Sequence, residues 1–94
     1  MSKIESFNVT YDSGSDVLYI SCRRDVAARG VEDKYGIVWR YDQTGALIGA
    51  TIMDFVDFWG SQQSLLADQI SSHFHIPPPQ AAVVIEHAMG HRSN

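Results

Sequence analysis

The chain has 94 residues, 45% of them hydrophobic and 19% charged, a balance that lets it enclose a core and argues against disorder. Its formal net charge of −4 repels phosphate on average, and Arg23, Arg24 and Arg29 are its only grouped cations, so nucleic acid is not the expected partner. Neither a signal-peptide core nor an apolar run near the ~20 residues of a membrane span is present, so a soluble, cytoplasmic protein is expected.

Phe7, Val9 and Tyr11 alternate with Asn8 and Thr10, the period of a half-buried strand over 7–11. Asp12-Ser13-Gly14-Ser15-Asp16 is turn material, and Val17 to Cys22 returns as a second strand. The segment 23–34 shows no convincing period and has room for a short edge strand. Its three arginines read as a solvated connection or as charges guarding a sheet edge. Residues 36–42 and 46–54 flank Asp42-Gln43-Thr44-Gly45, a D-x-x-G that suits a type I turn followed by glycine in the left-handed region.

That turn sets Asp42 opposite Ala46 and pairs Tyr41 with Leu47, Trp39 with Gly49 and Ile37 with Thr51. Val38, Ile48, Ala50 and Ile52 then share the other face with Arg40, and neither face is cleanly polar. Phe55 to Gly60 is an aromatic cluster that turns the chain. Ser61 is placed to cap a helix over 62–74 with Leu66, Ile70 and Phe74 in one stripe. Pro77-Pro78-Pro79 ends it, and Pro78 or Pro79 opens a second helix to Met89, stopped by Gly90 ahead of a frayed tail.

The two hairpins resemble the DUF2283 family, small prokaryotic domains of unknown function. The resemblance rests on Tyr11-Asp12, Asp16-Val17-Leu18-Tyr19-Ile20, and Tyr41-Asp42-x-x-Gly45-x-Leu47-Ile48-Gly49 with Ile52 and Asp54, over about residues 7–55. It implies a small antiparallel sheet with no established activity, cofactor or catalytic residue. Because some members look like neighbours of small toxin-like genes, it also suggests the antitoxin-like half of a two-gene system. The helical half from Gly60 onward is an extension beyond the resemblance.

The histidines all lie in that half. His87 and His91 are four apart, the spacing of a two-ligand metal site on one helix face, and His73 and His75 form a weaker pair. Asp54 and Asp57 are a candidate carboxylate pair, and Phe55, Phe58, Trp59 and Phe74 could line a ligand pocket, although turn capping and core packing explain both. Cys22, the single cysteine, excludes an intrachain disulfide and reads as a buried strand residue. No phosphate-binding glycine loop or nucleophile constellation stands out, so neither an enzyme nor a cofactor is expected.

The expected architecture is one α+β domain over 1–94, a four-stranded antiparallel β-meander within 7–58 followed by two C-terminal helices, in 61–90, packed on one sheet face. The expected function is a non-catalytic protein-interaction module, with a metal- or ligand-binding domain as the alternative. Two apolar sheet faces and a helix apolar over much of its girth predict a homodimer, with Val38, Ile48, Ala50, Ile52, Val84 and Ile85 at the seam. A small protein partner is a further expectation.

Overall fold

The computed structural model describes residues 7–22 and 27–91. Strands β1 (Asn8–Asp12), β2 (Val17–Ser21), β3 (Arg29–Glu32), β4 (Ile37–Tyr41) and β5 (Leu47–Met53) are followed by a 3-10 turn (Trp59–Ser61) and helices α1 (Gln63–Phe74) and α2 (Pro78–His91). The strands form one antiparallel sheet in the order β1-β2-β5-β4-β3. The α+β expectation therefore holds, with five strands rather than four, and the sheet is not a meander: β2 pairs with β5 instead of with β4.

The reason lies in β5. Leu47-Ile48-Gly49-Ala50-Thr51-Ile52-Met53 has no polar face, and residues 48–52 are all buried. A strand like that belongs in the middle of a sheet, with neighbours on both sides. β3, next in the sequence after β2, accordingly lies on the far side of β4 and forms the edge.

A bulge in β5 decides which side chains face the helices. Tyr41 pairs with Leu47 as the turn dictates, but Ile48 is then an extra residue, and Arg40 faces Gly49, Trp39 faces Ala50 and Ile37 faces Ile52. The expected register is thus right at the turn and one residue off beyond it. That slip collects the large apolar groups on one side, since opposed residues share a face. Ile37, Trp39, Ala50 and Ile52 join Leu18 and Ile20 beneath the helices, while Val38, Arg40, Gly49 and Thr51 go to the other side.

The helices complete that core. α1 contributes Leu66 and Ile70, and α2 contributes Ala81, Val84, Ile85 and Ala88. The broad apolar girth of α2 has a local cause: it packs against both α1 and β1. Ser61 ends the 3-10 turn, its hydroxyl donating to the Phe58 carbonyl at 3.4 Å, and Gln62 takes the cap position instead. α1 closes on His75 in the left-handed region (φ 57°), where the Ile76 amide and the Ser71 hydroxyl tie the two sides of the turn together. Gly90 does not end α2, which runs through it to His91. A glycine costs a helix about 1 kcal/mol relative to alanine but stops it only where it turns left-handed, and the positive-φ glycines are Gly36 and Gly45. The tail 92–94 lies outside the described residues.

Three aspartates organise the loops. Asp42 Oδ1 accepts from the Thr44 and Ala46 amides and from the Thr44 hydroxyl. Asp33 does the same for the β3–β4 turn, its Oδ1 taking the Tyr35 and Ile37 amides, and its Oδ2 also takes the Trp39 indole N–H at 2.9 Å. Asp33-Lys34-Tyr35-Gly36 is a second D-x-x-G with the same backbone bonds as the first. Asp12 holds the β1–β2 turn through the Gly14 amide and the Ser15 hydroxyl, and these bonds keep its carboxyl below the usual carboxylate value.

Candidate functional site

A groove of about 900 Å³ opens between the β4–β5 turn and the C-terminal end of α1. Its walls include Phe7, Cys22, Tyr41, Leu47, His73 and Phe74, with His75 and Ile76 at the helix end. Helical phase puts His73 on the sheet side of α1, where its ring stacks on Trp39 with centroids 3.7 Å apart and planes 5° from parallel. His73 Nδ1 lies 2.9 Å from the Gln69 carbonyl, so Nδ1 carries the proton and a neutral ring keeps Nε2 as an acceptor. The Cys22 thiol donates to the Leu47 carbonyl at 3.6 Å. Phe74 sits edge-on to both Phe7 and Trp39, closing the groove floor. This is an apolar slot with one preorientated imidazole on its wall.

The sheet's second face is open. Paired residues place Val17 beside Met53 and set Tyr19, Thr51 and Val38 in one row. Tyr19 is 42% exposed and Met53 46% exposed, whereas Thr51 is buried and receives two N–H bonds from the Arg40 guanidinium at 3.0 and 2.9 Å. Asn8, Thr10, Asp12, Ser21, Arg40 and Glu32 surround this centre by the same pairing. A smaller depression of about 290 Å³ on this face is lined by residues including Tyr19, Ala27, Arg40, Ile48 and Thr51.

At the opposite end from the groove, Asp16 (φ 59°) ties the first hairpin to the end of β5. Its carboxylate accepts from the Val56 amide at 2.8 Å, the Asp57 amide at 3.0 Å and the Tyr11 hydroxyl at 2.7 Å, and its carbonyl takes the Phe55 amide. Partial burial pushes its pKa up, but these bonds outweigh it and hold the carboxyl below the usual value. Asp54, at φ 55°, offers its carbonyl to the Phe58 and Trp59 amides. The Asp54 and Asp57 pair thus belongs to a turn whose organising carboxylate, Asp16, lies about forty residues earlier in the chain.

The other predicted positions fall as follows. Phe55 and Trp59 are core, Phe58 is 46% exposed and Phe74 lines the groove, so the four aromatics do not form one pocket. His73 and His75 both line the groove. His87 is exposed on α2, and the His91 side chain lies outside the described residues. Among the described residues no three His, Cys, Asp or Glu side chains gather to hold a metal. Of the six seam positions, Ala50, Ile52, Val84 and Ile85 are enclosed in the core of the single chain, Ile48 is buried in the bulge, and Val38 is half-buried on the open face. Their apolar character is accounted for within one chain. β3 occupies the place that 23–34 left for a short edge strand, whereas the Asp33 turn joining it to β4 was not anticipated, although the repeated D-x-x-G spacing marks it.

A five-stranded antiparallel sheet with two helices on one face defines a small α+β domain. The chain belongs to the family described as Protein of unknown function (DUF2283), whose match covers residues 8–55, just over half of the chain. That span runs from β1 through β5 to Phe55, so the family likeness is in the sheet, and α1 and α2 lie beyond it. No curated protein and no solved structure matches the chain. No helix among the described residues is long and apolar enough to cross a membrane.

Proposed function

We propose that the chain is a protein-interaction module that holds a small protein partner on the open face of its sheet, without chemistry of its own. The observation that carries this is the open face itself: Val17, Tyr19 and Met53 neighbour one another and Val38 lies across Thr51 from Tyr19, all partly or well exposed and flanked by polar side chains. An exposed aromatic and an exposed methionine beside polar side chains have the composition of a binding hot spot. The narrower form of this reading is an antitoxin-like chain that neutralises the product of a neighbouring toxin-like gene.

Capture from extracts of the native host tests it. The wild-type chain is expected to retain one protein in stoichiometric amount at moderate salt, and Tyr19→Asp combined with Met53→Asp is expected to lose it while keeping the wild-type melting curve. Retention by the double variant would overturn the assignment of the face.

One observation favours the alternative of a ligand-binding domain. His73 and His75 both line the groove, and the His73 ring is already fixed by Trp39 and Gln69. A small apolar molecule with a hydrogen-bond donor for Nε2 suits it. A thermal-shift screen of such molecules would then find hits that Trp39 and His73 report by fluorescence and NMR, and that His73→Ala abolishes.

A further inference from the structure

The β3 edge suits a second copy of this chain better than it suits solvent. All four residues of β3 are exposed, Val31 to 45%, and the strand stands at the end of the sheet. The phase of its hydrogen bonds follows from one contact: the Asp33 amide donates to the Ile37 carbonyl at 2.9 Å. In an antiparallel pair, hydrogen-bonded and non-bonded positions alternate, so Val31 also bonds toward β4, and at the start of the strand the Ala28 amide reaches the Tyr41 carbonyl at 2.8 Å. The N–H and C=O groups of Gly30 and Glu32 therefore point away from β4, to the open edge.

We propose that two copies join through this edge, antiparallel, about a twofold axis at Val31, into one continuous ten-stranded sheet with both helical layers on the same side. Only registers that oppose outward-facing residues to each other can form the bonds. An axis at Glu32 would set two carboxylates side by side, and an axis at Gly30 would set Arg29 against Val31. An axis at Val31 pairs Gly30 with Glu32 of the second copy, Val31 with itself, and Arg29 with Asp33 of the second copy. That register matches apolar with apolar and cation with anion, twice over. Gly30 leaves room beside the Glu32 side chain. Arg29 already lies flat, its guanidinium 5.0 Å above the Tyr41 ring on the face it shares with Asp33. The Asp33 carboxylate has acceptor capacity beyond its three intrachain bonds.

Charged edges often serve to prevent pairing. Here the charges of one copy meet their opposites in the next, so the edge permits this one register and penalises its neighbours. The contact is short, so a reversible dimer is expected rather than an obligate one.

Sedimentation velocity of the full chain over a roughly hundredfold dilution from the high-micromolar range reads this directly. The wild type is expected to pass from dimer to monomer. Val31→Glu, which opposes two carboxylates at the axis, is expected to be monomeric throughout. Glu32→Pro removes an outward N–H and no bond to β4, and is also expected to be monomeric. Arg29→Glu is expected to raise the dimer dissociation constant by about tenfold. Tyr19→Asp on the open face is expected to leave it unchanged. If Glu32→Pro alters the fold, seen as a changed circular dichroism spectrum, Val31→Glu and Arg29→Glu decide, because both side chains are exposed. A wild type that stays monomeric at the highest concentration overturns the proposal, as does a dimer indifferent to Val31→Glu.

Discussion

The two faces of the sheet are made by the same strands and have opposite duties. Beneath the helices, Leu18, Ile20, Ile37, Trp39, Ala50 and Ile52 are at most 2% exposed. On the other side the same strands present Tyr19, Ser21, Val38, Arg40, Gly49 and Met53. Alternation along each strand is not enough to produce this division, because Thr51 is the single polar residue of β5. The bulge at Ile48 does it, by shifting β5 one residue against β4 so that its bulky members line up with Ile37 and Trp39. Sidedness here is therefore a property of register more than of composition.

The sharpest way to break the comparison is to empty the helix side. Trp39 is 2% exposed, stacks on His73 and donates its indole N–H to Asp33. Trp39→Ala should cost about 3 to 5 kcal/mol, most of the roughly 5 to 10 kcal/mol expected for a domain of this size. Trp39→Phe should cost less, about 1 to 2 kcal/mol, since it keeps most of the apolar area and loses the bond to Asp33. Urea melts monitored by circular dichroism measure both, and a Trp39→Ala variant as stable as the wild type would contradict the helix-side assignment.

Gly49 tests the register itself. A Cβ on it would stand 2.8 Å from the Ile20 carbonyl oxygen, a backbone atom in the middle of the sheet. Gly49→Ala must push β2 and β5 apart beside the bulge, at about 1 to 3 kcal/mol. Gly45→Ala is a different case: nothing lies within 4 Å, and the cost comes from φ +87° alone. It should be about 1 kcal/mol. Had the unbulged register held, Gly49 would face Trp39 and an added methyl would crowd the indole, so hydrogen exchange that loosens at β2 in Gly49→Ala distinguishes the two registers.

Much of this was legible in the sequence. The Asp42 turn, the alternation in β1, the Leu66 and Ile70 stripe and the proline stop all act through neighbours a few residues away, and each is where its pattern puts it. The bulge was not legible, because nothing local distinguishes an extra residue at Ile48 from a regular strand. Only the gain from collecting Trp39 and Ala50 beneath the helices selects it. The partner of β2 was hidden for the same reason, although the almost wholly apolar and buried β5 marks a strand with neighbours on both sides. On the candidate groove, His73 was visible as a residue, but its stacking on Trp39 is a contact between the two halves of the chain that no spacing encodes.

Asp16 joins the first hairpin to the segment after β5, and its effect should be smaller and dependent on pH. Its folded carboxyl sits below the ordinary value of 3.8, so the stability it contributes is fully present above that value and disappears as pH falls through its lowered folded pKa. Asp16→Asn tolerates the left-handed backbone but replaces one acceptor oxygen with a donor, where three donors converge. A loss of about 1 to 2 kcal/mol at neutral pH is expected. Stability curves collected from pH 6 down to acid should converge for wild type and variant, and a constant gap across that range would mean that the carboxylate charge plays no part.

The smallest effect belongs to the open face, and its smallness is the point. Tyr19 and Met53 are well exposed, so truncating them removes little buried area and leaves no cavity. Tyr19→Ser and Met53→Ser should each change stability by less than about 0.5 kcal/mol, the range of ordinary surface substitutions. Thr51 at the centre of the same face is the useful contrast, because it is buried and its hydroxyl accepts both bonds from Arg40. Thr51→Val keeps the β-branched shape and removes that acceptor, which frees the guanidinium to solvent. Because Arg40 is exposed and can hydrate, the cost should stay near 0.5 to 1 kcal/mol, roughly the net worth of a partly exposed bond. Measured together, the three substitutions separate a face maintained for the fold from one maintained for a partner. Losses of 2 kcal/mol or more at Tyr19 or Met53 would mean that these side chains are buried by something in solution, and a dilution series would show whether that something is another copy of the chain.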